Sequence, residues 1–153
     1  MKSFFAYEMQ YTGKEPRIDG VEMVPFCETH YPQYERIYNE CFYAMRKALD
    51  VKPYRVYSDI AQIRDRMANL FLLMHDETII GGVGCYGTEI DDLIVNKPFQ
   101  NRGYGKTLLR WAIHHIRTYS DGPITLHVAE WNQTAIGLYL KNGFVVTKKE
   151  KVN

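Results

Sequence analysis

The sequence predicts an α/β (α+β) chain: a mixed, mostly antiparallel sheet flanked by helices. Three observations carry that reading. Apolar runs at Phe71–His75 and Thr78–Tyr86 are separated only by Asp76-Glu77, which signals a hairpin. Two longer stretches repeat apolar residues at helical spacing instead. Between Thr88 and Val128 the order strand, loop, helix, strand forces a parallel pair, because a helical crossover brings the second strand back in the direction of the first.

Taken in order, Met1–Gln10 holds a short apolar patch broken by Glu8, too short and too interrupted for a signal peptide. Val21–Cys27 is apolar enough for a strand, Glu28-Thr29 is a helix start signal, and Tyr34, Ile37, Cys41, Met45 and Ala48 mark a helix closed by Asp50 and Pro53. Ser58 or Asp59 can cap a second helix, with Ile60, Ile63 and Met67 on one face. The hairpin follows, and Gly87 turns the chain into a third strand, Thr88–Val95. Glycines 81, 82 and 84 weaken the hairpin's second strand, which implies a bulge or close backbone approach, the substrate's included. A long helix from Gly103 to about Tyr119 repeats Leu108, Leu109, Ala112, Ile113 and Ile116, and Asp121-Gly122-Pro123 ends it. Pro123–Val128 is a strand, Gln133–Asn142 a short helix stopped by Gly143, and Phe144–Lys149 the last strand.

At 153 residues the chain reads as one domain, 1–153. That length buries roughly two thirds of the surface an unfolded chain exposes, enough for a core without staples. Nineteen basic and 18 acidic residues give a net charge of +1 with no basic block, which argues against nucleic acid and for small-molecule or peptide partners. Cys27, Cys41 and Cys85 form no C-x-x-C pair and leave one over, so neither a disulfide framework nor a structural zinc is expected. With no stretch near ~18 apolar residues, no membrane span is expected, and the chain reads as cytoplasmic. The sequence leaves a homodimer open.

The most informative segment is the loop Gln100-Asn-Arg-Gly103-Tyr-Gly105-Lys-Thr107, between a strand and a helix. Unpaired N–H groups at a helix start, the positive end of the dipole and glycines that admit close approach together suit a phosphate. Two nucleotide loops are excluded by counting. Gly105-Lys106-Thr107 fits the end of a triphosphate loop, but the first glycine of that pattern falls on Gln100. In the dinucleotide pattern the third glycine falls on Leu108.

What remains, [QR]-x-x-G-x-[GA], resembles the acyl-CoA pyrophosphate loop of the GNAT family, the GCN5-related N-acetyltransferases. Downstream, Asn132-Gln-Thr-Ala135-Ile-Gly-Leu-Tyr139-Leu-Lys-Asn-Gly143-Phe144 is similar to the family's N-x-x-A-x-x-x-Y-x-x-x-G-F segment, in the right order and at a fitting distance. The sequence departs from the pattern at Lys97, where proline is common, and at Asn101, where glycine is frequent. The resemblance implies a GNAT-like sheet whose parallel strands splay apart to admit acyl-CoA, the pantetheine arm bonded along the strand ending at Ile94 and Val95. It implies acetyl-CoA as co-substrate, no metal, and transfer to a primary amine of a small molecule or peptide by direct attack. Gln100, Asn101, Arg102, Gly103, Tyr104, Gly105, Lys106 and Thr107 would surround the pyrophosphate, with Asn132 and Tyr139 completing the cofactor site.

Tyr139 matches the tyrosine that protonates the departing sulfur in many family members. A phenol of pKa ~10 gives a proton to a thiolate of pKa ~8.5 at modest cost, and positive surroundings would lower it further. The amine is the harder problem: at pH 7 an ammonium of pKa ~10.4 stands roughly 4.6 kcal/mol from its reactive form. Glu89 lies where some family members place a glutamate base; a water chain could serve instead, and Asp91 and Asp92 are rivals. Alternation puts Glu89 and Asp91 on one face and Asp92 on the other unless a bulge resets the phase. Adjacent His114 and His115 point in different directions, which excludes a metal pair at i, i+4 spacing, and His75 and His127 read as ordinary strand residues. The other class of function compatible with these motifs is a non-catalytic acyl-CoA-binding regulatory module.

Overall fold

A computed structural model describes residues 2–153. Seven strands form one sheet in the order β2-β3-β4-β5-β6-β1-β7. They are β1 (Phe4–Tyr11), β2 (Met23–Pro25), β3 (Leu70–His75), β4 (Thr78–Tyr86), β5 (Glu89–Val95), β6 (Thr125–Ala129) and β7 (Phe144–Val152). Three helices cover it: α1 (Tyr31–Ala48), α2 (Tyr104–Arg117) and α3 (Gln133–Lys141). All strand pairs are antiparallel except β5 with β6. The mixed sheet and its helices therefore match the sequence expectation.

Two cores form on the two faces. Met9, Val83, Ile90, Leu109, Ile113, Leu126 and Phe144 pack beneath α2 and α3. Tyr34, Ile37, Leu70, Leu72, Ile79 and Ile94 pack beneath α1. Gly81 allows the first packing to close: a Cβ there would stand 2.5 Å from the Ile94 carbonyl and 2.8 Å from Leu108. The approach implied by that glycine is thus to neighbouring protein.

The parallel pair is short. β5 and β6 share one register pair, Glu89 with Thr125, closed by the Thr125 N–H donating to the Thr88 carbonyl at 3.0 Å. Beyond it the strands part, leaving backbone donors and acceptors of both without a strand partner. A bulge lies just past the fork. Between the pairs Gly82–Ile94 and Gly84–Asp91, Val83 alone faces Asp92 and Leu93, and Asp92 adopts φ 55°. Ile90 and Leu93 consequently both enter the α2 core, and Asp92 turns toward α1.

Two elements depart from the expectations. Phe4–Tyr11 is a strand between β6 and β7, where only a broken apolar patch was legible. The helix expected after Ser58 is two short 3-10 turns, Ile60–Gln62 and Met67–Asn69. Asp59 does cap the first, accepting from the Ala61 N–H at 2.9 Å. With only Ile63 of that face fully buried, a short segment cannot offset the cost of helix nucleation.

Candidate active site

The fork between β5 and β6 opens into a cleft of about 600 Å³ that runs to the start of α2. Its walls are β5 from Ile90 to Val95, His127 to Ala129 of β6, Tyr38 to Arg46 on one side of α1, and Asn132, Ala135, Leu138 and Tyr139.

The loop at its far end has the backbone a phosphate requires. Asn101 and Gly103 both hold left-handed backbone, φ 63° and 85°, and Gly103 is the N-cap of α2. Alternating left-handed residues turn successive N–H groups toward one concavity. Asparagine is among the few residues besides glycine that tolerate this conformation, which explains why Asn101 can stand where glycine is frequent. Gly105 lets α2 close on α3, its added Cβ standing 3.3 Å from Leu138. The Gln100 amide donates to the Val95 carbonyl at 2.9 Å, and the Cys41 thiol donates to the same oxygen at 3.3 Å, which ties loop and α1 to the end of β5.

Of the residues singled out in sequence, Ile94, Val95, Gln100, Asn101, Gly103, Tyr104, Gly105, Lys106, Asn132 and Tyr139 line this one cleft. Arg102 and Thr107 stand outside its wall. The Arg102 guanidinium lies 5.9 Å from the centre of the Phe99 ring, and the Thr107 hydroxyl donates to the Gly103 carbonyl at 3.2 Å. Asn132 caps α3, accepting from the Ala135 N–H at 3.2 Å, while also facing the cleft.

Tyr139 is 9% exposed and packs on Phe144 at 6.0 Å. Burial first, and the charge of Asp91 second, push its pKa up to about 12. The surroundings are therefore apolar and negative, and they do not supply the positive charge that would lower the cost of proton donation. Asp91 itself is raised, by desolvation and then by Asp92, although half of its side chain remains accessible in the cleft. Asp92 has a side chain 2% exposed and is saturated by partners: Arg66 donates at 2.6 Å, Tyr38 at 3.1 Å, and Tyr86 also donates. It serves as the anchor of the wall.

Glu89 lies at the closed end of the fork, outside the cleft wall, sharing a 3.0 Å hydrogen bond with Nδ1 of His127. His127 does line the cleft. Sequence reading set this histidine aside because alternation within one strand says nothing about a neighbouring strand that departs after a single pair. Among the described residues no group of three or more His, Cys, Asp or Glu could hold a metal ion, and no helix is long and apolar enough to cross a membrane.

Comparisons with known proteins agree with this fold. A mycothiol acetyltransferase of Corynebacterium glutamicum is 28% identical over 90 residues, 56% of this chain but 31% of that protein, so the chain spans about a third of that relative's length. An acetyltransferase of the GNAT family from Colwellia psychrerythraea superposes with a TM-score of 0.72 at 14% identity, covering 99% of this chain and 56% of the other. The PaiA N-acetyltransferase of Thermoplasma acidophilum, solved in complex with coenzyme A, superposes with a TM-score of 0.55 at 15% identity, covering 87% of this chain and 99% of that one. The model of the acetyltransferase (GNAT) family matches residues 31–144, from the start of α1 to the glycine-phenylalanine pair after α3, and the chain belongs to that family.

Proposed function

We propose that residues 1–153 form one N-acetyltransferase domain that moves an acetyl group from acetyl-CoA to a primary amine of a small molecule or peptide. The observation that carries the proposal is the single cleft joining the left-handed loop at α2 to the Tyr139 phenol through the fork of β5 and β6. Its residues fit the donor. Turned-in N–H groups of Asn101 to Gly105 and the Lys106 cation suit a pyrophosphate, with Arg102 and Thr107 behind them. The edge of β5 that β6 leaves beyond Glu89, running toward Ile94 and Val95, suits the amides of a pantetheine arm. The fold neighbour from Thermoplasma acidophilum, solved with coenzyme A, supports that assignment.

When bound, acetyl-CoA supplies a thioester carbonyl. Tyr139 gives its proton to the departing sulfur. Against a free thiol of pKa ~8.5 a phenol at about 12 would be a costly donor. Burial in the same cleft, however, raises the Cys41 thiol as well, to about 11. The same burial would act on a sulfur leaving there, which lessens that cost. Deprotonation of the amine falls to the closed end of the fork, where the Glu89 carboxylate shares a hydrogen bond with His127, or to a water chain.

The test is thiol release from acetyl-CoA across a panel of primary amines, with acetyl-CoA binding measured in parallel. Amine-dependent release supports the enzyme. Binding without transfer to any amine replaces it with an acyl-CoA-binding regulatory module.

A further inference from the structure

We infer that His127 is the group that takes the proton from the acceptor ammonium and that Glu89 is its positioning residue. The inference rests on the acetyltransferase reading and assigns a residue within it. His127 stands two positions past the only backbone pair of β5 and β6, and its ring bridges the fork, Nδ1 lying 3.0 Å from Glu89 Oε1. Glu8 of β1, directly opposite in register, places Oε1 3.9 Å from Nε2, beyond hydrogen-bond length. An ionised carboxylate only accepts, so Nδ1 carries the hydrogen and Nε2 keeps a lone pair. The side chain is 49% accessible, which gives the captured proton a way out to solvent.

Three carboxylates face this ring or its approach, Glu8 from β1 and Glu89 and Asp91 from β5, and each attracts an ammonium. Asp91 is the poorer acceptor. Its Oδ1 already accepts the Asp92 N–H at 2.7 Å, and its Oδ2 lies 3.6 Å from Arg66. A carboxyl is also further than an imidazole from the ammonium in proton affinity, by roughly two units or more in ordinary cases. Two protons leave the nitrogen in the reaction. The first passes to Nε2 and on to solvent as the amine lone pair forms the C–N bond; the C–S bond breaks, Tyr139 protonates the sulfur, and the second amine proton replaces the one Tyr139 gave.

The experiment follows kcat/KM against pH for an amine that the wild type acetylates, in His127→Gln, Glu89→Gln and Glu89→Asp, with acetyl-CoA Kd and thermal midpoint as controls. His127→Gln should lower kcat/KM about 100-fold or more and abolish the acidic limb, with Kd within about twofold. Glu89→Gln should lose less, in kcat more than in KM, because the ring loses the partner that orients it; Glu89→Asp should restore most of the loss. A wild-type limb in folded His127→Gln overturns the inference while leaving the acetyltransferase reading intact. Wild-type protein that binds acetyl-CoA and acetylates nothing overturns both.

Discussion

The Asp91 carboxylate and the Tyr139 phenol share one cleft, and the charge of the first raises the proton affinity of the second. Burial is the larger cause and the Asp91 charge the smaller. Replacing Asp91 by Asn removes the smaller of the two causes, so the alkaline limb of kcat should move to lower pH while staying above that of a free phenol at ~10. The same change should raise KM for a cationic amine. A kcat profile measured up to the alkaline limit checks this, and an unmoved limb would show that Asp91 has no hold on the phenol.

Tyr139→Phe removes one hydroxyl and leaves the packing on Phe144 in place. Proton donation in the transition state is worth about 100-fold to 10,000-fold, so kcat should fall within that span while acetyl-CoA affinity stays nearly unchanged. Single-turnover transfer and equilibrium binding separate the two. Undiminished turnover would assign sulfur protonation elsewhere.

The loop makes a contrast between two left-handed positions. Asn101→Gly relaxes φ 63° and should leave acetyl-CoA Kd within about twofold. Gly103→Ala meets no atom within 4 Å of the added Cβ, so its whole effect is the cost of φ 85°, about 1–2 kcal/mol. Binding titrations should show Gly103→Ala weaker by roughly tenfold if that strain is relieved by moving the nest.

How much of this was legible depended on how local each signal was. The loop from Gln100 to Gly105 and the helix after it were readable because glycine spacing and a 3.6-residue period act within a dozen residues. β1 reads only as an apolar patch broken by Glu8, because the burial that makes it a strand comes from β6 and β7, far away in sequence. The short turns near Asp59 show the converse: a good cap with too little apolar face to propagate a helix. The bulge at Asp92 arises from the pairing of β5 with Val83, and it decides which carboxylates share the α1 side. The position of His127 follows from where two strands part, which no single strand's pattern encodes.

Alkaline stability tests the buried phenols together. Burial raises Tyr34, Tyr38 and Tyr86 well above their ordinary value, the Asp92 charge adds to each, and Tyr139 reaches about 12. A phenol whose folded pKa exceeds its unfolded ~10 contributes stability that is fully present below pH ~10 and is lost as pH rises through the folded value. For Tyr139 alone the two-unit gap amounts to roughly 3 kcal/mol, lost between about pH 10 and 12. Four such groups exceed the lower end of ordinary domain stability, about 5 kcal/mol, so the protein should unfold cooperatively in that window. Circular dichroism and phenolate absorbance followed together should show the buried phenols ionising only with loss of structure. Full phenolate absorbance in a still folded protein would mean that these hydroxyls reach solvent. Tyr86→Phe, which removes one ionisable group, should shift the unfolding midpoint to higher pH.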